Sequence, residues 1–205
     1  MTQPHYRFET ALARDGFARV AGVDEVGRGP LAGPVVAAAV VLDPEHIPDG
    51  LNDSKKLTAA RREALTAALW ECADVAVGEA SVAEIDSLNI RIASHLAMQR
   101  ALAGLTGVDA ALIDGRDIPA DLPCPGRAII KGDAQSLSIA AASIVAKTTR
   151  DAQMVALAAQ FPGYGWEKNA GYPTKMHRAA LLDIGVSPVH RRSFKPVHNI
   201  LYQEK

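Results

Sequence analysis

The chain is poor in cysteine and in aromatic residues: it has two cysteines among 205 residues, and Phe, Trp and Tyr make up 5% of it. Cys72 and Cys124 are too few for a disulfide framework or a thiolate metal site, so a reducing cytoplasm is the expected compartment. Long hydrophobic runs are also missing, since the longest, Val35 to Leu42, is far shorter than the roughly 20 residues that span a bilayer. The N-terminal residues carry no apolar segment of a secretory signal, so a cytoplasmic protein without membrane contact is expected.

A strong excess of either charge is lacking as well. The net charge is −1 and the pI is about 6.6, which excludes a basic protein that coats nucleic acid by bulk charge. The acidic excess precedes Lys147 and the basic excess follows it. Two explanations stay open: ordinary fluctuation along the chain, or an acidic centre beside a cationic surface, as a metal-using enzyme for polyanions needs.

Hydrophobic residues make up 48% of the chain, which is enough for a core, and the length suits one domain. The run from Pro34 to Leu42 is typical of a strand buried on both faces. Strands mixed with helices indicate an α/β or α+β sheet with helices packed against it. Strands are predicted at 17–24, 34–42, 74–81, 108–113 and 128–130, helices at 59–70, 82–105, 134–159 and 175–182, a loop at 161–174 and a basic tail at 187–205.

Four acidic residues fall where the predicted local structure changes. Asp24 and Glu25 end the first strand, Asp114 ends the fourth, and Asp133 opens the alanine-rich helix. Acids at strand ends can be held rigidly at a sheet edge, and carboxylate oxygens are what Mg²⁺ and Mn²⁺ prefer. Each acid also has an ordinary explanation, as a turn residue or, for Asp133, as a helix N-cap. Asp24 and Glu25 can share one site only if the strand ends or bends there.

Six separated stretches resemble, in one order, the signature of the type 2 ribonuclease H family. They are VDEVGRGPLAGP from Val23, DSKKL from Asp53, the Asp114-Gly115 strand end, Lys131-Gly132-Asp133, AASIVAKTTRD from Ala141, and GYPT from Gly171. The resemblance runs from about residue 20 to the tail. One departure is noted: Val26 stands where the family more often has Ala, and it leaves the acids untouched.

The resemblance implies a ribonuclease H-like α/β fold, a mixed sheet flanked by helices with a helical C-terminal extension. It implies one catalytic domain over 1–205, with the α/β core at about 17–160 and a substrate-binding extension at about 161–205. Such proteins hydrolyse the RNA strand of RNA–DNA hybrids. They also incise DNA duplexes at embedded ribonucleotides, leaving 5′-phosphate and 3′-hydroxyl ends.

By the same resemblance, Asp24, Glu25, Asp114 and Asp133 are catalytic acids that hold two divalent ions, Mn²⁺ or Mg²⁺. Asp24 resembles the acid that bridges both ions. Clustered carboxylates repel one another until a cation neutralises them. In two-ion phosphodiester hydrolysis, one ion activates a water and the other stabilises the departing 3′-oxygen.

The resemblance also implies a set of substrate contacts. A backbone turn would reach a ribose 2′-hydroxyl, which both donates and accepts hydrogen bonds, and a tyrosine would pack on the neighbouring sugar. From the residues alone, a plain tight turn and solvated lysines are the better explanations, and an ordinary loop aromatic is as good an explanation as a sugar contact. The expected contacts are Gly27, Arg28 and Gly29 in the turn, Tyr172 at the sugar, and Lys55, Lys56, Ser143 and Lys147 near the phosphate backbone.

The tail is basic enough to follow a phosphate backbone through Arg191, Arg192 and Lys195, although solvated charge explains it equally well. His177, His190 and His198 lack metal-ligand spacing, so they are predicted not to bind an ion. His177 is considered instead as a proton shuttle near the site.

Three alternatives compete with a hybrid-cleaving nuclease that works as a monomer. An inert nucleic-acid-binding module would gain nothing from clustered acids that face phosphate. A dinucleotide-binding dehydrogenase needs a helix N-terminus after Gly27-x-Gly29, whereas Pro34 and an apolar strand follow. A type 3 ribonuclease H would usually carry an extra N-terminal domain, and fewer than 20 residues precede Val20.

Overall fold

The computed structural model describes residues 3–202, which form a five-stranded mixed sheet with helices on both faces. The strands are β1 (Val20–Val26), β2 (Val35–Leu42), β3 (Ala73–Ala80), β4 (Ala110–Asp114) and β5 (Gly126–Ile129). The helices are α1 (Arg7–Arg14), α2 (Ala59–Cys72), α3 (Val82–Leu88), α4 (Ile90–Ala103), α5 (Leu137–Gln160), α6 (Trp166–Asn169), α7 (Lys175–Asp183) and α8 (Lys195–Tyr202). Every predicted strand and helix has its counterpart.

The sheet has the order β3-β2-β1-β4-β5, with β1 at its centre. β1 pairs antiparallel with β2 and parallel with β4, and β4 pairs parallel with β5. All eight residues of β2 are buried, as its unbroken apolar run predicts. The carboxyl ends of β1, β4 and β5 therefore meet at one edge of the sheet.

The alanine-rich first half of α5 lies directly on β1. A Cβ placed on Gly22 would overlap the backbone of Ser138 and Ile139, so glycine is what allows this close contact. On the opposite face, Val23 and Ile113 pack with α4. None of the helices among residues 3–202 has the length and apolar character needed to cross a bilayer.

Three sequence-based boundaries are wrong. The predicted helix over 82–105 is two helices, because Asn89 adopts φ 70° and its side chain accepts the amides of Arg91 and Ile92 to cap α4. Asp133 does not cap the alanine-rich helix: it lies in the 3-10 turn Gly132–Ala134, and Ser136 is the N-cap. The predicted loop and tail contain α6 and α8; α1 lies before the first strand, where no element is predicted.

Candidate active site

The predicted acids gather at the edge where the three parallel strands end. Val23 pairs with Ile113, so the next residues, Asp24 and Asp114, lie side by side and share the sheet face that α5 covers. β5 ends beside Asp114, and the chain then reaches Asp133 within the following 3-10 turn. The strand register thus brings together acids that are about a hundred residues apart in the chain.

Asp24 is the most deeply placed of these acids. It is 6% exposed, and its Oδ1 accepts the Glu25 amide at 2.7 Å. Burial raises the pKa of Asp24 well above its usual range; the Glu25 and Asp114 charges raise it further, and a hydrogen bond with Ser143 opposes the rise. A buried carboxylate surrounded by like charges is a group that a cation would stabilise.

Glu25 follows Asp24 along β1, so its side chain starts on the opposite face of the sheet. It nevertheless belongs to the same cluster, because it lies at the sheet edge. Burial raises the pKa of Glu25, and the neighbouring Arg28 opposes this while the Asp114 charge adds to it. The Arg28 guanidinium lies 3.4 Å from the Glu25 carboxylate.

Asp114, at the end of β4, lies against the 3-10 turn Gly132–Ala134 that contains Asp133. Asp114 Oδ1 accepts the Gly132 amide at 2.6 Å, which fixes the carboxylate beside the turn that carries Asp133. Burial and the Asp114 charge raise the pKa of Asp133, while the Lys55 ammonium, 3.8 Å from its Oδ2, opposes the rise.

The donor set suits hard divalent cations, since it consists of carboxylate oxygens from rigid elements. Among residues 3–202, no three His, Cys, Asp or Glu side chains converge closely enough to enclose an ion as they stand. The charges of Glu25, Asp114 and Asp133 nevertheless all raise the pKa of Asp24, which places these three acids within electrostatic reach of it. Each of these charges disfavours the ionised form of Asp24, and a bound cation would offset that repulsion.

The polar residues predicted near the phosphate backbone have different surroundings. Ser143 is buried on α5, and its Oγ lies 3.0 Å from Ser54 Oγ and beside Asp24. Lys147, one turn further along α5, donates to Asp151 at 2.6 Å. Lys55 is exposed and ion-paired with Asp133, and Lys56 is exposed on the same 3-10 turn.

The predicted ribose-contacting residues also lie together. Gly27 adopts φ +99°, and a Cβ there would overlap the Arg150 guanidinium. The ring of Tyr172 packs over Gly29, with its Cε1 3.3 Å from the position that a Gly29 Cβ would take. Tyr172 is 42% exposed, and Arg28 and Gly29 are exposed too, so these three residues form one accessible surface beside Glu25, whereas Gly27 is buried.

Sequence reasoning misplaced two side chains of the C-terminal segment. Arg191 is fully buried and donates to carbonyls of the loop from Gly27 to Pro34, so it neither follows phosphates nor sits in solvent. His177 is buried too: its Nδ1 lies 3.0 Å from the Tyr172 carbonyl, and its Nε2 lies 3.0 Å from His190 Nε2. His177 therefore supports the backbone at Tyr172, and the prediction that it shuttles protons near the site is wrong. Nothing in the local sequence marks an arginine in a Pro-punctuated tail as buried.

This sheet order, with acids at the carboxyl ends of its parallel strands, defines a ribonuclease H-like fold, as solved relatives confirm. Ribonuclease H2 from Pyrococcus horikoshii superposes with a TM-score of 0.73 at 28% identity, covering 89% of this chain and 96% of that one. Ribonuclease HII of Archaeoglobus fulgidus, solved in complex with PCNA, gives 0.75 at 26% identity over 91% and 98%.

The sequence comparisons then give the family. A family model described as Ribonuclease HII matches residues 21–197. Ribonuclease HII of Dinoroseobacter shibae is 73% identical over the whole of both chains, and that of Ruegeria pomeroyi is 70% identical over all of this chain and 88% of its own. The chain belongs to the ribonuclease HII family. It is an endoribonuclease of the ribonuclease H class, which acts on RNA–DNA hybrids.

Proposed function

We propose that this protein cleaves the RNA strand of RNA–DNA hybrids and also incises DNA duplexes at single embedded ribonucleotides, with two divalent ions, Mn²⁺ or Mg²⁺. The observation that carries this proposal is the electrostatic convergence on Asp24. The charges of Glu25, Asp114 and Asp133 all raise its pKa, although the four acids come from three chain segments. Repulsion between partly buried carboxylates destabilises the fold, so stability alone does not account for this cluster.

In this proposal Asp24, Glu25, Asp114 and Asp133 would hold the ions, and Asp24, whose pKa the charges of the other three acids raise, is the acid that would serve both. When bound, the ions supply an activated water and stabilise the departing 3′-oxygen, which leaves 5′-phosphate and 3′-hydroxyl ends. The chain's own groups orient this set. The Gly132 amide holds Asp114, and Ser143 lies beside Asp24, where it favours the ionised carboxylate.

Discrimination between ribose and deoxyribose is assigned to the Gly27-Arg28-Gly29 turn and Tyr172. The contact of Tyr172 with Gly29 supports a common role, since an aromatic face and backbone amides would then meet one sugar. Lys55, Lys56 and Lys147 are proposed to lie along the phosphates, with Lys147 exchanging its Asp151 partner for substrate. Residues from about 161 onward, which include Tyr172, would form a substrate-binding extension of the 17–160 core.

We also propose that the protein works as a monomer in the cytoplasm. Cys72 and Cys124 are both free thiols, which suits a reducing compartment. Gel filtration at working concentration and fractionation of cells would test these two statements separately from the activity.

The activity is tested with three labelled duplexes: an RNA–DNA hybrid, a DNA duplex with one ribonucleotide, and the matched all-DNA duplex. Cleavage of the first two, in Mg²⁺ or Mn²⁺ and not in chelator, is expected. Asp24→Asn should abolish cleavage because a neutral amide is a poor ligand to two cations, while the fold is retained because a buried charge is removed.

Asp117→Asn is the matched control for this variant. It makes the same chemical change on an exposed carboxylate that pairs with Arg91, three residues beyond Asp114, and it should keep full activity. Turnover by Asp24→Asn would contradict the assigned role. An uncut single-ribonucleotide duplex would remove the finer substrate claim while leaving hybrid cleavage standing.

A further inference from the structure

Two arginine side chains are buried together behind the loop from Gly27 to Pro34. Arg150, on α5, and Arg191, in the C-terminal segment, are both fully buried. Neither guanidinium lies within ion-pair distance of a carboxylate among the residues that the structure describes. Buried cations without acidic partners are costly, so the groups that surround them have to compensate.

The compensation comes from backbone carbonyls, all of them in this loop except that of Ala170, to which Arg150 Nη1 donates at 3.0 Å. A guanidinium has five N–H donors, and every donor nitrogen of Arg191 points at the loop. Nε donates to Gly33 at 2.9 Å, Nη1 to Pro30 at 2.8 Å and Arg28 at 3.2 Å, and Nη2 to Gly27 at 2.6 Å and Pro34 at 3.1 Å. Arg150 adds bonds to the carbonyls of Ala32 and Pro34.

The inward carbonyls determine where the loop amides point. In a planar trans peptide, the C=O of one residue and the N–H of the next point in opposite directions. Because Arg191 draws the carbonyls of Gly27 and Arg28 inward, the amides of Arg28 and Gly29 face outward. Both residues are exposed, and neither amide has an acceptor among residues 3–202.

We propose that Arg191 is a positioning residue for ribose recognition: by fixing the carbonyls of Gly27 and Arg28, it presents the Arg28 and Gly29 amides to an acceptor oxygen of the ribonucleotide. The inference rests on the proposed function, in which this turn meets the 2′-hydroxyl. Arg191 touches no substrate itself. Its charge remains in place near neutral pH, because burial lowers its pKa to about 9 and no further.

Lysine cannot replace this arginine. Its ammonium has three donors on a single nitrogen and cannot reach carbonyls that lie around a planar fork. Arg191→Lys therefore keeps the charge and releases part of the loop. Arg192→Lys is the matched control, since it makes the same change on the next residue, whose side chain is exposed.

The test compares the affinity for a fluorescent DNA duplex that contains one ribonucleotide with that for its all-DNA match, by anisotropy in Ca²⁺. The ratio of the two affinities is expected to fall about tenfold in Arg191→Lys, which corresponds to the loss of one well-placed hydrogen bond. The ratio should be unchanged in Arg192→Lys, and the affinity for the all-DNA duplex should change less than about threefold.

Val197→Ala separates a merely structural role: it truncates another fully buried side chain of the C-terminal segment, one that packs in the same cluster as Leu31 and Ala32 but makes no hydrogen bond to the loop carbonyls. This variant should lose stability and keep the ratio. If Arg191→Lys also keeps the ratio, the inference is overturned. If the unmodified protein shows no preference for the ribonucleotide, the proposed function of the turn fails instead.

Amide hydrogen exchange in the unmodified protein gives a readout that needs no variant. The Arg28 and Gly29 amides should exchange rapidly in the free protein and become protected with the ribonucleotide duplex but not with all-DNA. Slow exchange of these amides in the free protein would overturn the inference whatever the affinities are, including the case in which Arg191→Lys does not fold.

Discussion

Acidification is expected to destabilise the fold through the buried imidazole of His190. Its Nδ1 accepts the Ser187 amide at 3.0 Å and lies 2.8 Å from Ser187 Oγ, and its Nε2 lies 3.0 Å from His177 Nε2. Since Nδ1 accepts an N–H, the proton of the neutral ring is on Nε2. A second proton on Nδ1 would face the Ser187 amide and break that hydrogen bond.

The magnitude follows from the pKa. Burial, with the nearby His177, lowers the pKa of His190 from 6.5 to about 4. As pH falls through about 6.5, His190 becomes protonated in the unfolded chain, whereas in the folded protein it stays neutral until about pH 4. The free energy of unfolding therefore decreases over this interval. At about 1.4 kcal/mol per pKa unit, the decrease attributable to His190 is at most about 3 kcal/mol.

The assay is urea unfolding between about pH 7.5 and about pH 4.5, with the His190→Asn variant beside the unmodified protein. Asparagine can still accept the Ser187 amide but does not titrate. Asp24 and Glu25 have raised pKa values and push stability the opposite way on acidification, equally in both proteins. The pKa of His177 is lowered as well, and this ring contacts His190, so the difference between the two curves reports the titration of the buried imidazole pair.

His198→Asn is the control, because His198 is exposed on α8; its curve should follow that of the unmodified protein. Parallel curves for His190→Asn and the unmodified protein would refute the reasoning, because the imidazole would then not be held neutral.

Two further perturbations test the packing around the site. Gly22→Ala should destabilise the protein by about 3 kcal/mol in urea unfolding, because its Cβ would overlap the backbone of α5 and separate that helix from β1; a normal unfolding midpoint would contradict this contact. Tyr172→Ala should lower the initial rate of incision at a single ribonucleotide about 100-fold, with stability within about 0.5 kcal/mol because the side chain is half-exposed. Retained incision would contradict the assignment of this ring to the sugar.

The strands of the sheet could be predicted from the sequence because each has a local hydrophobic or turn pattern. The apolar run of β2 and the Asp114-Gly115 strand end are visible in a single reading. Asn89 was missed because its positive φ is compatible with an uninterrupted helical hydrophobic pattern on both sides. Asp133 was misassigned for a similar reason: it has the composition of an N-cap, but the cap position is decided by where the 3-10 turn ends, and Ser136 occupies it.

The grouping of the acids was predictable only with the family resemblance, since spacing along the chain says nothing about the parallel pairing of β1 with β4. The contact of Arg191 with the turn at Gly27 could not be predicted from the sequence. Arg191 and the carbonyl of Gly27 are more than 160 residues apart and share no pattern. Their contact follows from the three-dimensional path of the C-terminal segment, where Ala32 forms a bridge with His190.

The near-zero net charge conceals two opposed buried charge clusters on either side of one short loop. Asp24 and Glu25 end the strand before Gly27, and the guanidiniums of Arg150 and Arg191 lie behind the loop that follows. A phosphodiester approaching the acids is repelled until cations neutralise them, whereas the outward amides, backed by two guanidiniums, attract oxygen without any cation. In the proposed function, recognition of the ribose and activation of the phosphate thus rest on separate groups, with Glu25 and Arg28 only three residues apart. This separation explains why a substitution behind the loop is expected to change selectivity while the acids remain intact.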